Sequence, residues 1–211
     1  MASVNRVIGD CEVQAVKCDP AFPIEVGDII WQVPAGEALA GYARPASAMN
    51  EQGSKALTLD FLHNQFWGIA LQRNGLQSGE TVPLHSTLTH QPANVIKIAI
   101  RGQARMPLGS ASAATTFLGG ELIGGSIDTY STSGAATAAL QNQVVEQVTN
   151  VNQSIGRARP GTGELGNSSP AIEGQPATSE NEVVFDFVST IMYSGEPAST
   201  GVSTSSSSGA L

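Results

Sequence analysis

The clearest alternation of apolar and polar positions lies in Val95-Ile96-Lys97-Ile98-Ala99-Ile100-Arg101, where Ile96, Ile98 and Ile100 share one face and Lys97 and Arg101 the other. A period of two is that of a half-buried strand. Trp67 to Arg73 reads as a second strand, with the turn dipeptides Asn74-Gly75 and Ser78-Gly79 following it. Glu182 to Ile191 gives a third, with Val183, Phe185, Phe187 and Ile191 on one face. That strand has to pair non-locally, which ties the last third of the chain to the same folded body.

Shorter runs fill in the pattern. Val26 to Val33 reads as a turn followed by a strand that Pro34 stops, and Gly41 to Arg44 as a short strand that Pro45 stops. From Ser54 to Phe66 the apolar residues Leu59, Leu62 and Phe66, with Leu57 and Phe61 beside them, approximate a helical stripe that Ser54 can cap. One or two turns of helix are expected there. Phe117 to Gly124 carries enough apolar side chains to pack within a run of small residues, and Ser154 to Arg159 resembles a strand broken by Pro160-Gly161. Residues 137–150 fit the start of a helix or a poorly alternating strand.

An echo runs through this order. Gly27-Asp28-Ile29-Ile30, Trp67-Gly68-Ile69-Ala70 and Ile96 to Ile100 are followed by Gly120-Glu121-Leu122-Ile123, Ser154-Ile155-Gly156-Arg157-Ala158 and Val183 to Val188. Each time a Gly-acid turn opens a strand, an apolar-Gly-apolar strand follows, and a long alternating strand closes. The match is one of pattern and not of identity.

The expected architecture is mainly β: a compact β-barrel or β-sandwich with long loops, one short helix and extended terminal arms. Residues 1–24, ending in Asp19-Pro20-Ala21-Phe22-Pro23, form an N-terminal arm that either pairs as an edge strand or reaches a neighbour. Residues 25–107 form a β-barrel-like domain, 108–193 a second β-rich region packed on it, and 194–211 a Ser/Gly-rich tail with almost no anchoring side chains.

Composition narrows the function classes. The chain of 211 residues has 18 acidic against 10 basic side chains, a net charge of −8, and its basic residues form no block that could neutralise a phosphate track. Nucleic acid is an unfavourable partner for such a surface. No stretch approaches the length of a membrane span and the N-terminus lacks a signal-peptide core, so synthesis in the cytoplasm and no membrane crossing are expected. Cys11 and Cys18 are the only cysteines, have no zinc-site partners at suitable spacing, and read as free thiols.

Candidate chemistry is sparse. His63 reads as a helix-surface side chain, and His85 and His90 stand five apart in a Thr/Pro-rich connection, a spacing that suits neither one helical nor one strand face. Asp28, Glu80 and Glu121 follow glycines in turns, where a carboxylate more often fixes a loop than moves a proton. Phosphate-loop, nucleophile-elbow and zinc-protease motifs do not occur. No catalytic residue, cofactor or metal is therefore assigned, and a binding role is expected in place of an enzymatic one.

At Gly27-Asp28-Ile29-Ile30, Phe66 to Leu71, Ser78-Gly79-Glu80-Thr81-Val82 and Ile98 to Gly102 the order resembles that of small capsid decoration (cement) proteins of tailed bacteriophages. The resemblance covers about residues 26 to 107 well and the remainder loosely. It implies a compact β-barrel-like body and a virion structural role on the outer capsid surface, with the major capsid protein as partner, stabilisation of contacts between capsomers, and self-association as a homotrimer. Residues 1–24 and 194–211 are then candidate attachment arms. A low-copy tail or baseplate component shares the composition. A glycan-binding surface module would need an exposed aromatic platform, whereas Trp31 and Trp67 are expected in the core.

Overall fold

The computed structural model describes residues 7–74, 95–109, 117, 119–127, 139–159 and 182–193. Its strands are β1 (Val7–Lys17), β2 (Ile29–Gln32), β3 (Ala43–Pro45), β4 (Phe66–Ala70), β5 (Val95–Pro107), β6 (Leu122–Ile127), β7 (Leu140–Val148), β8 (Gly156–Ala158) and β9 (Glu182–Val188). Two helices accompany them, α1 (Lys55–Gln65) and α2 (Thr190–Tyr193), with single 3-10 turns at Ala46–Ala48 and Val151–Gln153.

The strands make one antiparallel sheet in the order β3-β2-β4-β5-β9-β8-β6-β7, with β1 added against β5. The sheet rolls into a nearly closed barrel-like body because its ends fold back. Just past β1, Cys18 bridges Ala43 of β3, and just past β5, Leu108 bridges Val145 of β7. Followed pair by pair, the strands trace two rings of five. The first runs β1-β5-β4-β2-β3 and back to the end of β1. The second runs β5-β9-β8-β6-β7 and back to the end of β5. β5 is long because it serves both rings, its first half in one and its second half in the other.

The register repeats the echo seen in the sequence. Ile30 of β2 faces Gly68 of β4, and Ile123 of β6 faces Gly156 of β8. The cores repeat as well. Val16, Cys18, Ile24, Ile30 and Ala43 of the first ring pack with Trp67, Ala70, Ile96, Ile98 and Ile100. At the matching places of the second ring stand Met106, Leu108, Phe117, Ile123 and Val145, with Ile155, Ala158, Val183, Phe185 and Phe187. All twenty are buried.

Local chemistry accounts for the elements. Ser54 caps α1 by accepting a hydrogen bond from the Leu57 N–H at 3.2 Å, the expected N-terminal device. Leu59 and Leu62 of α1 are buried while Leu57 is 54% exposed. The helix sits close against β6, where a Cβ on Gly125 would stand 2.6 Å from Leu62 Cδ2 and force that side chain to shift. Every residue of β4 is buried, because core lies on both of its faces.

Four expectations change. The helix expected to make one or two turns runs for 11 residues as α1, about three turns. The ambiguous stretch 137–150 contains a strand, β7. The strand expected over Trp67 to Arg73 stops at Ala70. The strand expected over 182–191 ends at Val188, and Ile191 packs from α2 against the first-ring core, away from Phe185 and Phe187. Hydroxyls turn the chain there: Ser189 Oγ donates to the Phe66 carbonyl at 3.2 Å and Thr190 Oγ1 donates to the His63 carbonyl. As for the segment read as an arm, its residues 7–17 lie in the sheet as β1 and close the first ring. The boundary drawn after residue 107 falls at the end of the strand that both rings share. Residues 194–211 lie outside the described residues.

Candidate binding surface

Exposed apolar side chains collect where β1, the end of β9 and α2 meet. Arg101 of β5 faces Glu12 of β1 on one pairing and Val188 of β9 on another. Directly opposed residues share a sheet face, so Glu12, Arg101 and Val188 lie together. The Tyr193 hydroxyl, at the end of α2, donates to the Glu12 carboxylate. That bond, more than desolvation, raises the phenol above its ordinary pKa, since ionising it would place two negative oxygens together. Val188 is 41% exposed, Met192 45% and Tyr193 46%. Scattered exposed apolar residues are ordinary, but here three lie close together beside Glu12 and Arg101, which makes this the candidate contact surface. The contact joins residues far apart in the chain, so no local pattern announces it.

The buried polar groups do different work: they fasten the body. Asp19 binds the Arg44 guanidinium at 2.8 Å and accepts from the Ala21 N–H at 3.0 Å. The same guanidinium lies 5.0 Å from the Phe22 ring centroid and 5.9 Å from that of Trp31, a stacked cation that holds the β1–β2 connection on β3. Lys55 of α1 reaches Glu146 of β7 at 2.7 Å, and Arg105 pairs with Glu182 across β5 and β9. Ser47 N–H donates to Asn142 Oδ1 at 2.7 Å. Together the Lys55 and Ser47 contacts bind the first ring to the second.

Asp28 sits on the same seam. One carboxylate oxygen accepts from the Glu25 N–H and the other from Gln143 Nε2 of β7, both at 2.9 Å. Burial still outweighs these bonds and pushes the carboxyl above its ordinary value. Glu121, at the matching turn of the second ring, accepts from the Gly119 N–H at 2.7 Å. His63 Nδ1 donates to the Ser154 carbonyl, tying α1 to the turn before β8.

Trp31 and Trp67 are 2% and 7% exposed, with their indole N–H groups bonded to the Pro45 carbonyl and to Gln14 Oε1. Neither ring forms a surface platform. Cys11 and Cys18 are not joined in a disulfide, and burial raises the Cys18 thiol above its usual range. Among the described residues no group of three or more His, Cys, Asp or Glu side chains is placed to hold a metal ion, and no helix is long and apolar enough to cross a membrane. Glu80, His85 and His90 lie outside the described residues. Comparison with protein-family models, curated proteins and solved structures returns no match.

Proposed function

We propose that this chain is a virion structural protein that binds the outer surface of a capsid shell, contacts the major capsid protein and stabilises the joints between capsomers. One observation carries the proposal. Three of the four stretches that resemble the decoration family fall on successive parts of one ring: Gly27-Asp28 turns into β2, Gly68 of β4 faces Ile30, and Ile98 to Gly102 run along β5, while Ser78 to Val82 lie outside the described residues. They are the framework of a compact barrel, the body that the resemblance implies. The patch of Glu12, Arg101, Val188 and Tyr193 suits docking on protein.

The work in this role is done by burial and not by bond making. A standard protein interface removes about 1,600 Å² from water, and several weaker contacts held by one body gain affinity through effective concentration. Self-association as a homotrimer would multiply those contacts further. The test is the heat or osmotic rupture of shells that lack this protein, before and after it is added back. Saturating protein should raise the rupture threshold. An unchanged threshold would argue for a low-copy tail or baseplate role.

A further inference from the structure

The two rings repeat one another beyond their order of strands. In the first, the Gly27 N–H donates to the Ala70 carbonyl, Ala70 N–H to Asp28, Leu71 N–H to Lys97 and Asp19 N–H to Ala43. In the second, Gly120 N–H donates to Ala158, Ala158 N–H to Glu121, Arg159 N–H to Val184 and Gly109 N–H to Val145. Each bond of one set has its counterpart in the other, and the parallel bridges that close the rings follow the same rule.

The glycines agree. A Cβ on Gly68 would strike the Ala99 carbonyl oxygen at 2.1 Å, and one on Gly156 the Asp186 carbonyl oxygen at 2.5 Å, in each case on the next strand of the ring. The longest connections also match in place, 71–94 between β4 and β5 and 159–181 between β8 and β9. Barrels that arrived at similar shapes separately have no reason to share hydrogen bonds and close approaches position by position.

We propose that the chain is two copies of one five-stranded unit fused through β5, and that each copy meets one of two identical sites on a repeating partner surface. The first clause stands on the pairings alone. The second rests on the shell-binding role: a surface that repeats offers the same site twice, and a fused pair can occupy both with the second contact made at high effective concentration. The exposed side chains at matching places differ, as Arg101 and Val188 do, so the sites are met with unequal strength.

Two measurements separate the clauses. In the free full-length chain, hydrogen exchange by NMR should find the eight donor amides named above protected alike, ring for ring. Fast exchange throughout one set with protection in the other would overturn the duplicated frame. Electron cryomicroscopy of shells re-decorated with the full chain should show both rings touching the same residues of two shell subunits. Contact through one ring only would overturn the two-site clause while leaving shell binding intact. Absence of binding would remove the shell role and the two-site clause together, and the exchange result would still decide the duplication.

Discussion

Replacing Gly68 with alanine probes the closest approach in the fold. Gly68 has φ +156°, and an added Cβ would lie 2.1 Å from the Ala99 carbonyl oxygen and 3.0 Å from its carbon. Both obstacles are backbone, so no side chain can swing away, and β4 must move off β5. Overpacking of this kind costs about 1–3 kcal/mol, and holding a non-glycine residue at a disfavoured φ costs about 1–3 kcal/mol. Together they make about 4 kcal/mol, a large part of the roughly 5–15 kcal/mol that keeps a domain folded. For a chain of this size that is a fall in melting temperature of about 8–16 °C.

Gly36 supplies the control, because it has φ +97° with nothing within 4 Å of an added Cβ. Gly36→Ala should show the backbone term alone, about 1–3 kcal/mol. Circular dichroism melts and urea titrations of the two variants beside the wild type make the comparison. A Gly68→Ala protein that melts no lower than Gly36→Ala would show that the carbonyl contact costs nothing and that β4 does not pack this closely on β5.

Three further outcomes are expected. Gly156→Ala, whose Cβ would meet Asp186 O at 2.5 Å and Phe185 Cδ2 at 2.6 Å, should also lower the melting temperature, but less than Gly68→Ala; a neutral variant would speak against close packing of β8 on β9. The raised carboxyl of Asp28 makes its protonated form the one that the fold favours, so its contribution is fullest below the ordinary value of 3.8 and is lost as pH rises through the folded value. The stability of wild type minus that of Asp28→Asn should therefore fall as pH rises from about 4, and a flat or rising difference in urea titrations would contradict this. Deleting 195–211 should leave the melt of the free protein nearly unchanged while weakening attachment to shells, since the segment has almost no apolar side chains; a large drop in melting temperature would count against it.

The sequence carried the fold where one residue pattern meant one thing. Ile96, Ile98 and Ile100 point inward as their alternation required, and Ser54 caps α1. Alternation failed where strands are covered on both faces or are short. Leu140 to Val148 mixes buried and half-buried positions without a clean period because its side chains meet α1, Ala46 and the core of the second ring. Residues 7–17 looked like an arm because most of their side chains are exposed, yet their backbone is paired with β5. The two-ring closure was legible only as an echo of glycines, since the bridges Cys18–Ala43 and Leu108–Val145 join unlike residues. The Glu12–Tyr193 contact could not be read at all, because it depends on where α2 turns back across β1.

The most direct test of the proposed role is co-sedimentation of the purified full-length chain with shells that lack it, counting bound chains per particle. Saturation at many copies, in a fixed ratio to the shell subunit, is the result expected of a protein that binds the capsid surface. Saturation at a few copies per particle, or none, would contradict it.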